Sequence, residues 1–322
     1  MDFALIGNGY WGKNYFRILN DDNSINLKYV VDSSLEESEV KKDSIIYLNN
    51  LNLLLEKDFD CSIVATPTTT HHKIVKQLLE NKKHVLVEKP IALRKNEVEE
   101  LIDLSKSSNS ILLTNYIFLY NSAVQYLIEE IKKPDFGELL YFKFNRTNLG
   151  PVRTDVNAIW DLMTHDISIL NAISMEMPKD IRVSTFKRNG SPVAEVANVD
   201  LIYENFYSTF FVSWLHPKKE RTIEIVGSNK MLLFDDISDD PVKIFDKKIS
   251  SIQEKINTND SFFNFSVGDT LLPFIKNNEP LRQVVLDFKN RVLGNEVNEL
   301  FSDNLMILNT AILEEINNKI NT

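Results

Sequence analysis

The chain has 322 residues, of which 43% are hydrophobic and 25% are charged, and its formal net charge is −10. This composition is typical of a folded protein of two domains, and it argues against a disordered chain. The negative charge does not favour nonspecific binding to nucleic acid or to an anionic membrane, and no apolar run is long enough to span a bilayer. A strand begins within two residues of Met1 and leaves no room for an export signal, so we expect a cytoplasmic protein.

Short apolar runs alternate with amphipathic segments through the first 118 residues. Predicted strands lie near 3–6, 27–31, 61–65, 84–87 and 111–115, and predicted helices lie near 11–20, 69–80 and 94–107. This βαβ alternation predicts a doubly wound parallel sheet, whose strands end at one common edge. Loops at that edge, after the strands that end near Gly7, Asp32, Thr66 and Glu88, are expected to hold a ligand.

The first strand runs directly into a glycine motif, Gly7-Asn8-Gly9-Tyr10-Trp11-Gly12, and then into a helix. In that order, Gly7 permits a tight turn, Gly9 lets the backbone approach a pyrophosphate, and Gly12 lets the helix pack on the strand. Asp32 follows the second strand, where a carboxylate accepts hydrogen bonds from ribose hydroxyl groups and repels a 2′-phosphate. We therefore predict a Rossmann NAD-binding domain over residues 1–118, with NAD(H) preferred over NADP(H).

The pattern changes after a predicted helix near residues 120–132. Long strand-like runs follow at 139–147, 180–187, 193–203, 207–214 and 221–234, with a helix near 159–173 among them and two helices, 281–293 and 303–320, at the end. We predict an α+β second domain over residues 119–322 with a largely antiparallel sheet, in which Glu204-Asn205 forms a hairpin turn. Because helices can cover only one face of such a sheet, we expect association through the other face into a homodimer or homotetramer.

Three side chains are candidates for acid–base chemistry. Lys89 ends an apolar strand, where an ammonium group can stabilise an oxygen that gains negative charge. Asp161 and His165 are four residues apart on a predicted helix, so the carboxylate can orient the imidazole and raise its proton affinity. Adjacent His71 and His72 diverge on a helix and have no ligand cluster beside them, so no metal site is expected. Cys61, the single cysteine, begins an apolar run and is predicted to be buried.

These motifs together resemble the Gfo/Idh/MocA oxidoreductases. The resemblance rests on the glycine motif, on Val64-Ala65-Thr66-Pro67 followed by Thr70-His71, on Glu88-Lys89-Pro90 and on the Asp161-x-x-x-His165 pair. It implies that His165 acts as acid and base, that Lys89 binds and polarises the reacting oxygen, and that Asp161 holds substrate or His165. The predicted cofactor-binding residues are Gly7, Asn8, Gly9, Tyr10, Trp11, Gly12, Asp32, Thr66, Pro67, His71 and Glu88.

A finer resemblance, through Gly7–Asn14, Trp160-Asp161-Leu162 and residues 213–217, is to sugar-nucleotide dehydrogenases of surface-polysaccharide synthesis. The chain departs from many relatives at Asp155–Trp160 and at Asn115-Tyr116, near the expected sugar pocket. The predicted substrate-binding residues are Lys89, Tyr116, Arg146, Arg153, Asp161 and His165, where Arg146 and Arg153, or the basic stretch 218–221, are candidates to bind a diphosphate.

The first hypothesis is an NAD-dependent enzyme that interconverts a secondary alcohol and a ketone on a sugar, in particular a nucleotide sugar. A dehydrogenase of free sugars or cyclitols and a non-catalytic NAD-binding sensor are the alternatives. In the enzyme hypotheses, Lys89 and His165 converge on one reacting carbon.

Overall fold

The computed structural model describes residues 1–42, 44–150, 152–251 and 263–320. Its chain divides into two compact units: unit 1 contains Met1–Tyr120 and Glu279–Glu314, and unit 2 contains Asn121–Asn278 and the residues from Glu315 onward. The first boundary lies within two residues of the predicted one at 118. The prediction differs at the C-terminus, because it assigned all of residues 119–322 to the second domain, whereas Glu279–Glu314 belongs to unit 1.

Unit 1 contains a seven-stranded sheet. Its strands are β1 Asp2–Ile6, β2 Asn26–Val31, β3 Glu39–Lys42, β4 Ile45–Leu48, β5 Cys61–Val64, β6 His84–Val87 and β7 Leu112–Thr114. Their order is β3-β4-β2-β1-β5-β6-β7, and all neighbours are parallel except β3 and β4. The predicted Rossmann-type parallel sheet is confirmed, with β3 and β4 as an addition that the sequence pattern did not indicate.

Unit 2 contains an eight-stranded sheet. Its strands are β8 Leu139–Thr147, β9 Asp180–Phe186, β10 Val196–Ile202, β11 Tyr207–Ser213, β12 Glu220–Gly227, β13 Met231–Asp235, β14 Val242–Ser251 and β15 Phe263–Leu271. Their order is β15-β14-β13-β12-β8-β11-β10-β9, and the single parallel pair is β8 with β11. The predicted largely antiparallel sheet is confirmed. The predicted run 221–234 is two strands, because the chain turns back between Gly227 and Met231.

Helices connect and cover the strands. The α-helices of the described residues are α1 Tyr10–Asp21, α2 Leu51–Leu55, α3 His71–Glu80, α4 Lys95–Ser107, α5 Ser122–Ile131, α6 Thr164–Ser174, α7 Pro280–Leu293 and α8 Asp303–Ile320. A π-helical turn, Ile159–Met163, leads directly into α6. No helix in the described part of the chain is both long enough and apolar enough to cross a membrane.

The two sheets are buried differently. In unit 1, the central strand β1 is buried along nearly its whole length, and Cys61 at the start of β5 is buried as predicted. In unit 2, one row across the sheet, through Phe210, Phe144, Ile223 and Phe234, is buried, while alternate residues are partly exposed. Such alternation is typical of an antiparallel sheet with a single covered face.

Candidate active site

The ends of the parallel strands of unit 1 form one continuous edge. Gly7 N donates to Val31 O, Ala65 N to Ile6 O, and Glu88 N to Val64 O, at 2.8 to 2.9 Å. These bonds continue the sheet ladder one residue beyond the strands. The structure therefore brings the predicted residues Gly7, Asp32, Thr66 and Glu88 to one edge of the sheet, as the βαβ pattern predicted.

The glycine motif forms a tight turn between β1 and α1. Gly7 has a φ of +93°, and a Cβ atom at this position would lie 2.6 Å from Ala65 O. A Cβ atom at Gly12 would lie 2.1 Å from Gly7 O, so only glycine allows α1 to pack against the turn. By contrast, the space beside Gly9 is open, and Gly9 caps α1 without a side-chain hydrogen bond. An open space before uncapped helical N–H groups fits a pyrophosphate.

Asp32 lies beside this turn. Its Oδ2 accepts a hydrogen bond from Asn8 N at 3.1 Å, and its Oδ1 accepts from Ser34 N and Ser34 Oγ at 2.9 and 2.7 Å. Burial opposes ionisation of the carboxyl group, but the hydrogen bonds from Ser34 and Asn8 outweigh it and lower the pKa of Asp32. An ionised carboxylate beside the glycine turn fits a ribose with free hydroxyl groups.

Tyr10 and Trp11 form the exposed first turn of α1. Tyr10 is 82% exposed, and its ring meets the ring of Trp11 edge to face at a centroid distance of 5.9 Å. They are the first and second residues after Gly9. Exposed aromatic side chains at this position remain predicted cofactor contacts.

His71 holds two loops of unit 1 together. Its Nδ1 lies 2.8 Å from Pro90 O, and its Nε2 lies 2.8 Å from Thr66 O. The buried imidazole therefore joins the loop after β5, which contains Thr66 and Pro67, to the loop after β6. The predicted contact between His71 and NAD is not supported by this position, because the ring is directed to two carbonyl groups within the protein.

Glu88 is the centre of a buried polar cluster. Its Oε1 accepts from Tyr15 Oη at 2.8 Å and from Asn115 Nδ2 at 2.7 Å, and its Oε2 accepts from Lys89 N at 3.2 Å. Burial, followed by the Glu88 charge and hydrogen bond, raises the pKa of Tyr15. The carboxylate is thus fixed against the backbone of Lys89, a residue that is 9% exposed. Tyr15 is not among the predicted site residues, because nothing in the sequence indicates that α1 contacts the end of β6.

Tyr116 is a buried residue of unit 1. It is 1% exposed, and its ring lies 6.1 Å from that of Phe301. Burial raises the pKa of its hydroxyl group, and a hydrogen bond with Asn309 only partly opposes this effect. The prediction of Tyr116 as a substrate-binding residue is not supported, because its side chain packs in the interior of unit 1.

The second predicted group lies in unit 2. Asp161 belongs to the π-helical turn Ile159–Met163, and His165 belongs to the first turn of α6. The helix predicted over residues 159–173 is present, but its first turn is wider than an α-helical turn. Asn157 starts the turn by accepting from Trp160 N through Oδ1 at 3.1 Å and from Asp161 N through its carbonyl oxygen at 3.1 Å.

The Asp161 carboxylate has a different side-chain donor on each oxygen. Arg153 Nη1 donates to Oδ1 at 3.2 Å, and Trp214 Nε1 donates to Oδ2 at 3.1 Å. Arg153 also binds both oxygens of Asp155, at 2.9 and 2.6 Å. The structure therefore brings the predicted residues Arg153 and Asp161 together. The prediction gave Arg153 a separate role in binding a diphosphate, whereas here it is a hydrogen-bond partner of Asp161.

Arg146 forms a buried ion pair. Its side chain binds Asp166 through Nε at 3.0 Å to each oxygen and through Nη2 at 2.6 Å to Oδ1. Arg146 is 4% exposed, so the prediction that it binds a substrate diphosphate is not supported by its environment. Burial raises the pKa of Asp166, and the charge and hydrogen bonds of Arg146 act against that rise.

Two of the basic side chains in the stretch 218–221 also have acidic partners. Lys218 Nζ lies 2.7 Å from Glu220, and Arg221 Nη1 lies 2.9 Å from Asp236. No group of three or more metal-ligand side chains occurs among the described residues. Of the residues predicted to act in catalysis, unit 1 contains Lys89, together with the glycine turn, and unit 2 contains Asp161 and His165.

Two models of one family match the chain. Residues 1–116 match the oxidoreductase family with an NAD-binding Rossmann fold, and residues 124–233 match the GFO/IDH/MocA C-terminal domain. The chain is 30% identical over 141 residues to 2,7-anhydro-N-acetylneuraminate hydratase of Escherichia coli, which covers 44% of this chain and 38% of that protein. It is 29% identical over 126 residues to UDP-N-acetylglucosamine 3-dehydrogenase of Acidithiobacillus ferrooxidans, over 39% of each chain. Both alignments thus span well under half of the relatives' own lengths.

Solved structures show the same fold over a longer part of the chain. A structure of UDP-N-acetylglucosamine 3-dehydrogenase GnnA from Acidithiobacillus ferrooxidans matches with a TM-score of 0.79, covering 98% of this chain and 96% of that chain at 18% identity. At this identity, the match establishes the fold alone. With its NAD-binding Rossmann unit and its sheet-rich second unit, the chain belongs to the GFO/IDH/MocA oxidoreductase family.

Proposed function

We propose that this protein is an NAD-dependent oxidoreductase that interconverts a secondary alcohol and a ketone on a sugar. The observation that carries the proposal is the edge of the unit 1 sheet, where the open glycine turn and ionised Asp32 fit NAD. Lys89 follows β6, two strands away from β1 in the same sheet. Membership of the family supports oxidoreductase chemistry.

Oxidation of a secondary alcohol removes one hydride from carbon and one proton from oxygen. Bound NAD supplies the hydride acceptor. We assign the proton to His165, which is partly exposed on α6, because an imidazole is the side chain best suited to accept and release protons near neutral pH. We assign Lys89 to the reacting oxygen, because an ammonium group stabilises the negative charge that develops there. In the reductive direction, reduced NAD would supply the hydride and His165 returns the proton to the oxygen.

A nucleotide sugar is the first candidate substrate. A relative named UDP-N-acetylglucosamine 3-dehydrogenase supports this class. A free sugar or cyclitol is the second candidate, and a specific observation favours it. Arg146, Arg153, Lys218 and Arg221 each have a carboxylate partner, which competes with a diphosphate for the cation.

The deciding experiment is a substrate panel. Purified protein is incubated with NAD and with individual nucleotide sugars, free sugars and cyclitols, while the absorbance of reduced nicotinamide is followed. Products are also analysed by mass spectrometry, because a relative is named a hydratase and a reaction with no net change in NAD has no absorbance signal. The K89A/H165A double variant is the control for contaminating dehydrogenases.

The proposal predicts turnover of at least one sugar by the unmodified protein and none by the double variant. NAD binding without turnover across the panel, in both directions, would favour the sensor alternative instead. Turnover of a nucleotide sugar but not of its free sugar would identify the nucleotide as part of the recognised substrate.

A further inference from the structure

Each carboxylate oxygen of Asp161 accepts a hydrogen bond from a different side chain of unit 2. Arg153 Nη1 binds Oδ1 at 3.2 Å, and Trp214 Nε1 binds Oδ2 at 3.1 Å. The Asp161 side chain nevertheless keeps 21% of its surface exposed.

Each of the two donors is itself anchored. Arg153 binds Asp155 through Nε and Nη2, and the hydrogen bond with Asp155 raises the pKa of the guanidinium group. Trp214 is buried, and its backbone N–H donates to Glu195 O at 3.0 Å. An indole has a single N–H donor, and here that donor is used on Asp161. The positions of both donors are therefore set by contacts other than Asp161.

We propose that Arg153 and Trp214 are positioning residues that keep Asp161 ionised and fix the plane of its carboxylate, so that it accepts hydrogen bonds from hydroxyl groups of a polyol substrate. The substrate class in this inference rests on the proposed function. The two hydrogen bonds that position the Asp161 carboxylate are observed within unit 2 and do not depend on that function. A carboxylate with a cationic and a neutral donor gains stability in its charged form. Asp161 is thus an acceptor for substrate, and the proton transfer falls to His165.

Several ionisable groups surround Asp161. Arg153 contacts it, Asp155 shares Arg153, and His165 follows four residues later. Glu195, whose backbone meets Trp214, has its own carboxylate bound to Arg188 at 2.7 Å. A test must therefore distinguish protonation of Asp161 from protonation of Asp155 and of His165. The indole N–H of Trp214 can report on Asp161, because it donates directly to that carboxylate.

The test follows the indole N–H resonances of protein labelled with ¹⁵N-tryptophan as a function of pH. The chain has three tryptophans, Trp11, Trp160 and Trp214, and the W214F variant assigns the third. We expect the Trp214 resonance to move in one acidic step that D161N abolishes. R153Q should move the midpoint of that step upward by roughly 1 to 3 pH units, the effect of losing one nearby opposite charge.

R182Q is the matched control, because it removes an arginine from an exposed pair with Asp180 in the same unit and should leave the midpoint unchanged. Should R153Q unfold, as judged by the other two indole resonances, D155N is used instead. It removes the carboxylate that shares Arg153, leaves the guanidinium charge to Asp161, and should therefore move the midpoint downward. The inference is overturned if the Trp214 resonance does not change with pH, or if D161N does not abolish that change. It is also overturned if the midpoint in R153Q, or in D155N where that variant is used, equals the midpoint in the unmodified protein.

This experiment needs neither substrate nor NAD, so its outcome is independent of the substrate panel. On any sugar that the panel identifies, W214F should raise KM at least as strongly as it lowers kcat, because it weakens an acceptor for substrate rather than the proton acceptor. A loss confined to kcat would contradict the assigned role of Asp161 while leaving the proposed reaction intact.

Discussion

Tyr15 donates its hydroxyl hydrogen to the buried carboxylate of Glu88 at 2.8 Å, and so joins the helix after the glycine turn to the strand end that carries Lys89. Two features that are 73 residues apart in the chain are thereby fixed to each other. Asn115 adds a second donor to the same oxygen, at 2.7 Å. The helix after the dinucleotide turn and the backbone of Lys89 are therefore parts of one buried framework.

Loss of the Tyr15 hydroxyl group should destabilise unit 1. The Y15F substitution keeps the ring and removes one hydrogen bond to a buried charge, which costs on the order of 1.5 to 3 kcal/mol. Urea unfolding followed by circular dichroism should show a lower midpoint. Y10F is the matched control, because Tyr10 is mostly exposed and its hydroxyl group should contribute little. Equal midpoints for Y15F and Y10F would mean that the Glu88 cluster does not stabilise the unit.

Asp32 should determine the preference for NAD(H). Its carboxylate has a lowered pKa and is therefore ionised throughout the neutral range, where it repels a 2′-phosphate. The D32A/S33R double variant removes that charge and adds a cation, and titration should show its affinity shifted toward NADP(H). D58A removes a carboxylate from an exposed loop of the same unit and should leave the preference unchanged. Tighter binding of NADP(H) than of NAD(H) by the unmodified protein would refute the role of Asp32.

Features that depend on neighbouring residues in the sequence were predicted, whereas contacts between distant residues were missed. The turn from Gly7 to Gly12 and the strand that ends before Asp32 are encoded in adjacent residues. The Arg146–Asp166 and Tyr15–Glu88 pairs join residues 20 and 73 positions apart, and their formation depends on packing between separate elements. Arg146 lies near the end of a correctly predicted strand, but the sequence does not indicate that its charge is buried against Asp166.

Short edge strands were also missed for a physical reason. β3 reads Glu-Val-Lys-Lys and is largely exposed at the sheet edge. Edge strands commonly carry charged residues that prevent pairing with other chains, so they lack a strong apolar alternation. By contrast, the strand runs of unit 2 from Leu139 to Ser213 were predictable, because their side chains alternate between a buried and a partly exposed face.

The partly exposed face of the unit 2 sheet should mediate self-association. Tyr207, Tyr141, Val226, Met231 and Phe245 form one register row across five strands of that face. Such a continuous apolar row is typical of an interface between copies. Light scattering should give a dimer or tetramer, and Y141D should lower the mass. I237D changes an apolar side chain outside this row and should not. A monomeric unmodified protein at micromolar concentration would contradict the prediction.

Cys61 should be inert in the folded protein. It is completely buried, and burial raises the pKa of its thiol to about 12, so very little thiolate is present at neutral pH. An aromatic disulfide reagent should label about one thiol per chain in denaturant and almost none in the native state. Rapid labelling of native protein would show that β5 opens readily.

We propose that Lys89 and His165 act in one chemical step. H165A should lower turnover by roughly 10² to 10⁴, with NAD affinity nearly unchanged, because the base acts on the substrate oxygen only. K89A should lower turnover and weaken substrate binding.

The most direct measurement is the kinetic double-mutant cycle of H165A, K89A and the combined variant on the sugar that the panel identifies, with NAD affinity measured in parallel by titration. Residues that act as a unit give non-additive losses, so the combined variant should be far less impaired than the product of the single losses. Ordinary turnover by H165A across the pH range, or strictly multiplicative losses, would contradict the account.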